Sequence, residues 1–311
     1  MQLDAESAGL LAQVHDKSEL LSHHDIASLR ARMAEFMRVC GPLPLPVAKS
    51  QERRLRIEGR EVAAIVHWPL APMTRPPIVL YFHGGGFTHL SATTHDTVAR
   101  YLCNKAGCIV INVDYRLAPE HKFPAAIEDG YDALCWAALN ADELGGDPER
   151  IVVAGESAGG TISAVLCLMS RERGGPRIAL QVPMCPSTTL DDIQRFASWR
   201  TLGTGEYLLS TATIDDIRSL YLRGPQDALN PWASPLLAPD LAGLPKALII
   251  TAGFDPLVDE AAAYAQRLRE AGVPVTYECY PTTLHAFMIM AALIPVGYAA
   301  LDQVCQHIAA L

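Results

Sequence analysis

Ile151-Val152-Val153-Ala154-Gly155-Glu156-Ser157-Ala158-Gly159-Gly160 carries the chain from a short apolar run into a helical pattern that continues to about residue 172. The first four residues suit a strand covered on both faces, and the small residues after Ser157 open a helix. A G-x-S-x-G sequence at a strand-to-helix junction is the setting of a nucleophile elbow. So tight a turn leaves no room for a Cβ two positions before and two after the serine, and Gly155 and Gly159 satisfy this. The serine hydroxyl then stands above the sheet edge, at the positive end of the following helix. A glycine-rich turn that merely packs closely would read the same way in isolation.

Strand and helix signals alternate on both sides of this segment. Short apolar runs at 78–82, 108–111, 180–183, 247–250 and 275–280 join 151–154 as strand candidates. Arg54–Ile57 and Val62–His67 flank Glu58-Gly59-Arg60 as a β-hairpin. Helical patterns occupy roughly 94–106, 124–141, 158–172, 258–271 and 298–310. This βαβ progression predicts an α/β fold with a mainly parallel, eight-stranded sheet flanked by helices.

Two regions fall outside the alternation. Residues 25–40 have helical periodicity and end at the stiff Gly41–Pro46 segment. Between Pro186 and Pro245 no strand is expected, only helical pieces around 191–199, 206–209 and 213–222. An insertion of that length is usually a lid or substrate loop. Residues 1–46 and 187–225 are therefore assigned to a helical cap, and 47–186 with 226–311 to the core. Internal repeats and low-complexity tracts are absent from the sequence.

His83-Gly84-Gly85-Gly86-Phe87 follows the 78–82 strand. Acyl transfer builds negative charge on a former carbonyl oxygen, and backbone N–H groups aimed there stabilise it by several kcal/mol. Consecutive glycines let the backbone approach that oxygen, so the Gly84, Gly85 and Ala158 amides are the expected donors. A flexible surface loop or a phosphate cradle are the alternatives; no Gly-Lys-Ser/Thr follows and no G-x-G-x-x-G is completed. A serine nucleophile also needs a base and an orienting carboxylate, in the chain order Ser, Asp or Glu, His. Only His285 and His307 follow Ser157. His285 comes just after the last strand, whereas His307 lies in the terminal helix. Asp255, at the carboxyl end of the 247–252 segment, is the expected carboxylate. Asp259 is the alternative, although with Glu260 it also suits the start of a helix.

The 311 residues are 50% apolar and 19% charged, which excludes disorder of the whole chain and supplies a sizeable core. Their net charge of −9 argues against a nucleic-acid or anionic-membrane partner. The amino terminus lacks signal-peptide character and no apolar run approaches 18 residues, so a cytoplasmic protein without membrane insertion is expected. The eight cysteines have no C-x-x-C or zinc spacing and are expected to be buried free thiols. His89 and His95 lack H-E-x-x-H spacing, so no metal is expected. In His23-His24-Asp25, helix capping by Asp25 is favoured over metal binding.

From about residue 76 to 290 the chain resembles the hormone-sensitive-lipase-like (bacterial family IV) carboxylesterases of the α/β-hydrolase superfamily. Four motifs in the right order carry the resemblance: the HGGGF loop, Asp114-Tyr-Arg-Leu-Ala-Pro-Glu-His121 with Phe123–Asp129, the elbow, and Asp255-Pro-Leu-Val-Asp-Glu260. It implies an α/β-hydrolase fold with a helical cap, a Ser157–His285–Asp255 triad, an oxyanion hole at the HGGG loop, and no cofactor. The implied activity is hydrolysis of uncharged short- to medium-chain carboxylic esters through an acyl-enzyme on Ser157. An amidase or peptidase using the same triad is the alternative; a non-catalytic receptor on this scaffold would lack the triad histidine.

Phe36, Met37, Phe87 and Trp199 are candidates for lining the substrate site, with ordinary cap packing the alternative for Phe36, Met37 and Trp199, and Asp114 with Arg116 is read as a charge pair beneath the oxyanion loop. The edge strand at 275–280 could pair two copies into a homodimer. Glu156 stands where the family more often has Asp or Thr, and Ala286 where it usually has Gly.

Overall fold

Strand β5 (Asp147–Glu156) lies inside an eight-stranded sheet, between β3 (Pro77–Phe82) and β6 (Leu180–Met184), with both neighbours parallel. The computed structural model describes residues 2–15, 25–57, 59–71 and 73–311. With β1 (Lys49–Ile57), β2 (Arg60–Trp68), β4 (Ile109–Asp114), β9 (Ala247–Phe254) and β10 (Val275–Leu284), the strand order is β1-β2-β4-β3-β5-β6-β9-β10. Within this sheet, among the described residues, only the β1/β2 and β2/β4 pairs are antiparallel. This is the sheet expected from the sequence, including the amino-terminal hairpin.

Side-chain alternation along β3 shows why the strands are apolar throughout. Ile78, Leu80 and Phe82 enter one core with α4 (Ala125–Leu139), α6 (Ala158–Arg173) and α9 (Val258–Glu270). Val79 and Tyr81 enter a second core with α3 (Asp96–Ala106) and α10 (Val296–Ala309). Each large apolar side chain so buried contributes roughly 1.5–3 kcal/mol, and β3 has no polar face to spare.

The register brings the strand ends to one edge. Phe82 pairs with Gly155, Glu156 with Met184, and Leu284 with Phe254. The first residues beyond β3, β5, β6, β9 and β10 are His83, Ser157, Cys185, Asp255 and His285. Parallel sheets place their ligand-handling groups at this carboxyl edge because the connecting loops open there.

Over the same edge lie the segments expected to form the cap: α2 (Ile26–Cys40), α7 (Ala197–Leu202) and α8 (Thr211–Tyr221). Asp25 caps α2 by accepting from the Ala27 and Ser28 amides, as expected; His23 and His24 lie outside the described residues. Arg30 fastens α2 to the core, donating to the Thr88 and Ala118 carbonyls, each at 2.9 Å, and to both Glu120 carboxylate oxygens. The helix expected at 206–209 is instead part of a small hairpin, β7 (Thr204–Tyr207) with β8 (Leu209–Ser210). Gly205, at φ +99°, explains the difference, because it takes the chain out of helical backbone space. Among the described residues, no helix is long and apolar enough to cross a membrane.

Candidate active site

The elbow is as tight as the two glycines imply. A Cβ on Gly159 would strike the Phe82 carbonyl, and one on Gly155 would strike the carbonyls of Phe82 and Gly159. Ser157 itself holds φ +53° and ψ −118°, a sparsely populated combination for a residue with a side chain. Such strain costs of order 1–3 kcal/mol and persists only where the surroundings enforce it. Here the Ser157 amide is tied to the Met184 carbonyl at 2.9 Å and its carbonyl accepts from Thr161 N at 3.1 Å. Helix α6 starts at Ala158, directly under the hydroxyl.

His285 and Asp255 meet as expected. Nδ1 of His285 lies 2.7 Å from Asp255 Oδ2, and the other carboxylate oxygen accepts from Leu257 N at 2.9 Å. Asp255 is wholly buried, while the His285 ring reaches the cavity that Ser157 also lines. The carboxylate thereby selects the imidazole tautomer with its proton on Nδ1, leaving Nε2 free to take a proton. The two alternatives are engaged elsewhere: Asp259 accepts from Ser198 N, and His307 Nδ1 lies 2.9 Å from the Gln303 carbonyl.

A third group stands behind the pair. Cys185, fully buried at φ +42°, has its sulfur close to Asp255, and the three ligand-type atoms of Cys185, Asp255 and His285 lie within 4.8 Å of one another. Burial, then the neighbouring carboxylate, pushes the Cys185 thiol well above its ordinary pKa. In the sequence Cys185 carries no signal beyond an apolar neighbourhood and its position one past a strand end. None of the eight cysteines forms a disulfide among the described residues, and six are buried.

The glycine loop differs from expectation in one donor. The Gly84 amide points at Glu156, donating to Oε1 at 2.5 Å, and Gly84 does not line the cavity. A buried carboxylate is a stronger acceptor than anything in the cavity, so this amide is already committed. Gly85, Gly86 and Ala158 do line the cavity, and the Gly85 and Gly86 amides have no acceptor among the described residues. Glu156 also accepts from Tyr81 Oη at 2.9 Å and faces His95 Nε2 at 3.1 Å. Burial would raise its carboxyl, but His95 and Tyr81 more than offset this and hold it below the ordinary range.

The reading of Asp114 with Arg116 as a charge pair is also corrected. Arg116 forms a forked pair with Asp129, its Nη2 2.6 Å from Oδ1, whereas Asp114 Oδ1 accepts from Ala92 N at 2.9 Å. Asp114 is the last residue of β4 and Arg116 lies beyond the strand, so the period-two alternation that would put both on one face does not extend across them. The loop still supports the glycines: Tyr115 Oη donates to the His83 carbonyl at 2.7 Å, and Ala118 N to the Phe87 carbonyl at 2.8 Å.

The cavity above Ser157 measures about 160 Å³ and is walled mostly by apolar side chains. Met33, Phe36 and Met37 come from α2, Ile214 and Ile217 from α8, Leu208 and Leu209 from the small hairpin, and Ile289 and Met290 from the chain after His285. Phe36, Met37 and Phe87 line the cavity, and Phe87 stacks on Tyr221 of α8 with ring centroids 4.0 Å apart. Trp199 is not among the lining residues. Its indole is buried and donates to Glu260 Oε2 at 2.8 Å, because a buried Nε1–H needs an acceptor and Glu260 supplies one beneath α7. Ala286 holds φ +55°, the left-handed region in which the family's glycine would be unstrained.

Comparisons with known proteins agree with this geometry. A family profile described as alpha/beta hydrolase fold matches residues 79–289. The chain is 40% identical over 276 residues to the carboxylesterase NlhH of Mycobacterium tuberculosis, covering 87% of this chain and 85% of that one. It is 36% identical over 290 residues to an arylesterase of Saccharolobus solfataricus, covering 93% of each. The hyperthermophilic esterase of Pyrobaculum calidifontis superimposes with a TM-score of 0.92 at 36% identity, over 100% of this chain and 99% of that one. On these matches the chain belongs to the α/β-hydrolase family, in its hormone-sensitive-lipase-like carboxylesterase branch.

Proposed function

We propose that this carboxylesterase works through an acyl-enzyme on Ser157, with His285 as general base and Asp255 as its orienting carboxylate. The observation that carries the assignment is the arrangement at the sheet edge: a strained serine on an elbow and a carboxylate-held imidazole line one apolar cavity. His285 Nε2 takes the Ser157 proton as the hydroxyl attacks the ester carbonyl. The oxyanion rests on the Gly85, Gly86 and Ala158 amides. Alcohol leaves with the proton from His285, and water repeats the cycle to free the acid. Organised amides of this kind are worth about 3–4 kcal/mol each in the transition state.

The cavity sets the substrate class. Its charged and ionisable lining groups are Glu156, held by its own partners, the base His285, and His89; the remaining walls accept an uncharged acyl chain. A volume of about 160 Å³ suits short to medium chains. The elements from residues 1–46 and 187–225 act as the cap, supplying most of the acyl wall. Among the described residues β9 is the one strand paired with β10, whose outer edge is where a second copy would join.

The test is a fluorophosphonate probe together with p-nitrophenyl esters of increasing acyl length. Labelling mapped to Ser157 and turnover that peaks at short to medium chains are expected, and Ser157→Ala should lower kcat by about 10⁴-fold or more with unchanged circular dichroism. Near-full activity in that variant would remove the mechanism.

A further inference from the structure

We propose that Cys185, Asp255 and His285 form a chelating site for a thiophilic divalent cation of the zinc type, and that filling it switches the esterase off. The proposal rests on the triad reading above, because two of the three ligands are the base and its orienting carboxylate.

The donor set is the first argument. A sulfur, a carboxylate oxygen and an imidazole nitrogen, mutually within 4.8 Å, can surround one ion at ordinary zinc–ligand lengths once the Nδ1–Oδ2 pair, 2.7 Å apart, opens to admit it. Three protein ligands with one open position are a recognised zinc arrangement, and the cavity beside His285 can supply a water for the fourth. Softness makes the site selective: sulfur and imidazole favour zinc or cadmium, whereas magnesium and calcium require oxygen donors.

Charge is the second argument. Cys185 and Asp255 are fully buried, so an uncompensated dication there would be strongly disfavoured. A thiolate and a carboxylate neutralise it completely. On binding, the S–H proton is released to solvent and metal–sulfur, metal–oxygen and metal–nitrogen bonds form, with no change in oxidation state. The ion replaces the Nδ1–H···Oδ2 hydrogen bond between His285 and Asp255.

The imidazole explains the loss of activity. The ion displaces the proton from Nδ1, and the neutral ring takes it up on Nε2, the nitrogen that serves Ser157. A ring in that tautomer cannot accept the serine proton. Access is from the cavity, which the His285 ring lines.

The experiment titrates the metal-free enzyme with zinc, cadmium or magnesium chloride in thiol-free buffer. Each variant's rate is scaled to its own metal-free value. Zinc and cadmium should inhibit the wild type reversibly, with recovery on adding EDTA, and magnesium should not. Cys185→Ala and Cys185→Ser should each need at least tenfold more zinc for half-inhibition. Independently of catalysis, cadmium should give an ultraviolet thiolate-to-metal charge-transfer band in the wild type and in Ser157→Ala. That band should be absent from the Cys185 variants. Equal inhibition midpoints in wild type and both Cys185 variants, or a band that ignores Cys185, would overturn the proposal. A Cys185-dependent band in a chain without Ser157-dependent turnover would leave the metal site standing and refute the triad instead.

Discussion

The Gly84 amide donates to the Glu156 carboxylate at 2.5 Å, so the residue after the loop histidine is bonded to the residue before the nucleophile. The glycine loop and the elbow are thereby one hydrogen-bonded unit. Tyr81 and His95 share the same carboxylate and extend that unit into the core.

Glu156→Gln should therefore disturb catalysis without touching substrate. An amide cannot serve Gly84, Tyr81 and His95 as one carboxylate does, and a displacement of the loop by about 1 Å lowers rate by up to about 100-fold. Steady-state kinetics should show kcat falling by about tenfold to 100-fold with little change in KM.

Acyl length should answer to Ile217, whose side chain faces both Gly86 and the cavity. Ile217→Val removes one methyl group and costs about 0.5–1.5 kcal/mol. The optimum in a p-nitrophenyl ester series should move to longer chains. An unchanged optimum would place the acyl group elsewhere.

Trp199→Phe should behave in the opposite way. The indole binds Glu260 and does not line the cavity, so the acyl profile should stay fixed. Burial already pushes the Glu260 carboxyl up to about 8, against the donors from Trp199, Thr188 and Thr189. Losing one donor should lower stability by about 1–3 kcal/mol, read from urea unfolding.

Acid should weaken the fold through His67 and His83, whose burial lowers each to about 4 from an ordinary 6.5. Between those values the unfolded chain binds protons that the native chain does not. Their contribution is thus complete above pH 6.5 and is lost as pH falls towards 4, by about 3 kcal/mol per ring at the lower end. Thermal midpoints for His67→Gln should fall less steeply than wild type over this window.

The sheet was readable in the sequence because each parallel strand is apolar on both faces, and β3 shows the reason in its two cores. The elbow was readable because its glycines have no steric substitute. Partner choice among polar groups was less accessible. Asp114 and Arg116 are of opposite charge and two residues apart, yet each bonds elsewhere, since direction along an extended segment is set by tertiary packing. The same holds for Gly84, where an amide in the right motif is claimed by a carboxylate 72 residues away. Trp199 had the composition of a pocket wall, but its indole N–H follows Glu260. Cys185 had no motif at all; only the shared strand-end register brings it beside Asp255 and His285.

Arg30 joins the roof of the acyl chamber to Thr88, three residues beyond Gly85. Lifting that roof to admit a bulky ester pulls on the same short loop that must cradle the developing charge. On the proposed mechanism, entry and chemistry are thus joined through one guanidinium, and a change at Arg30 would be felt on both sides of it.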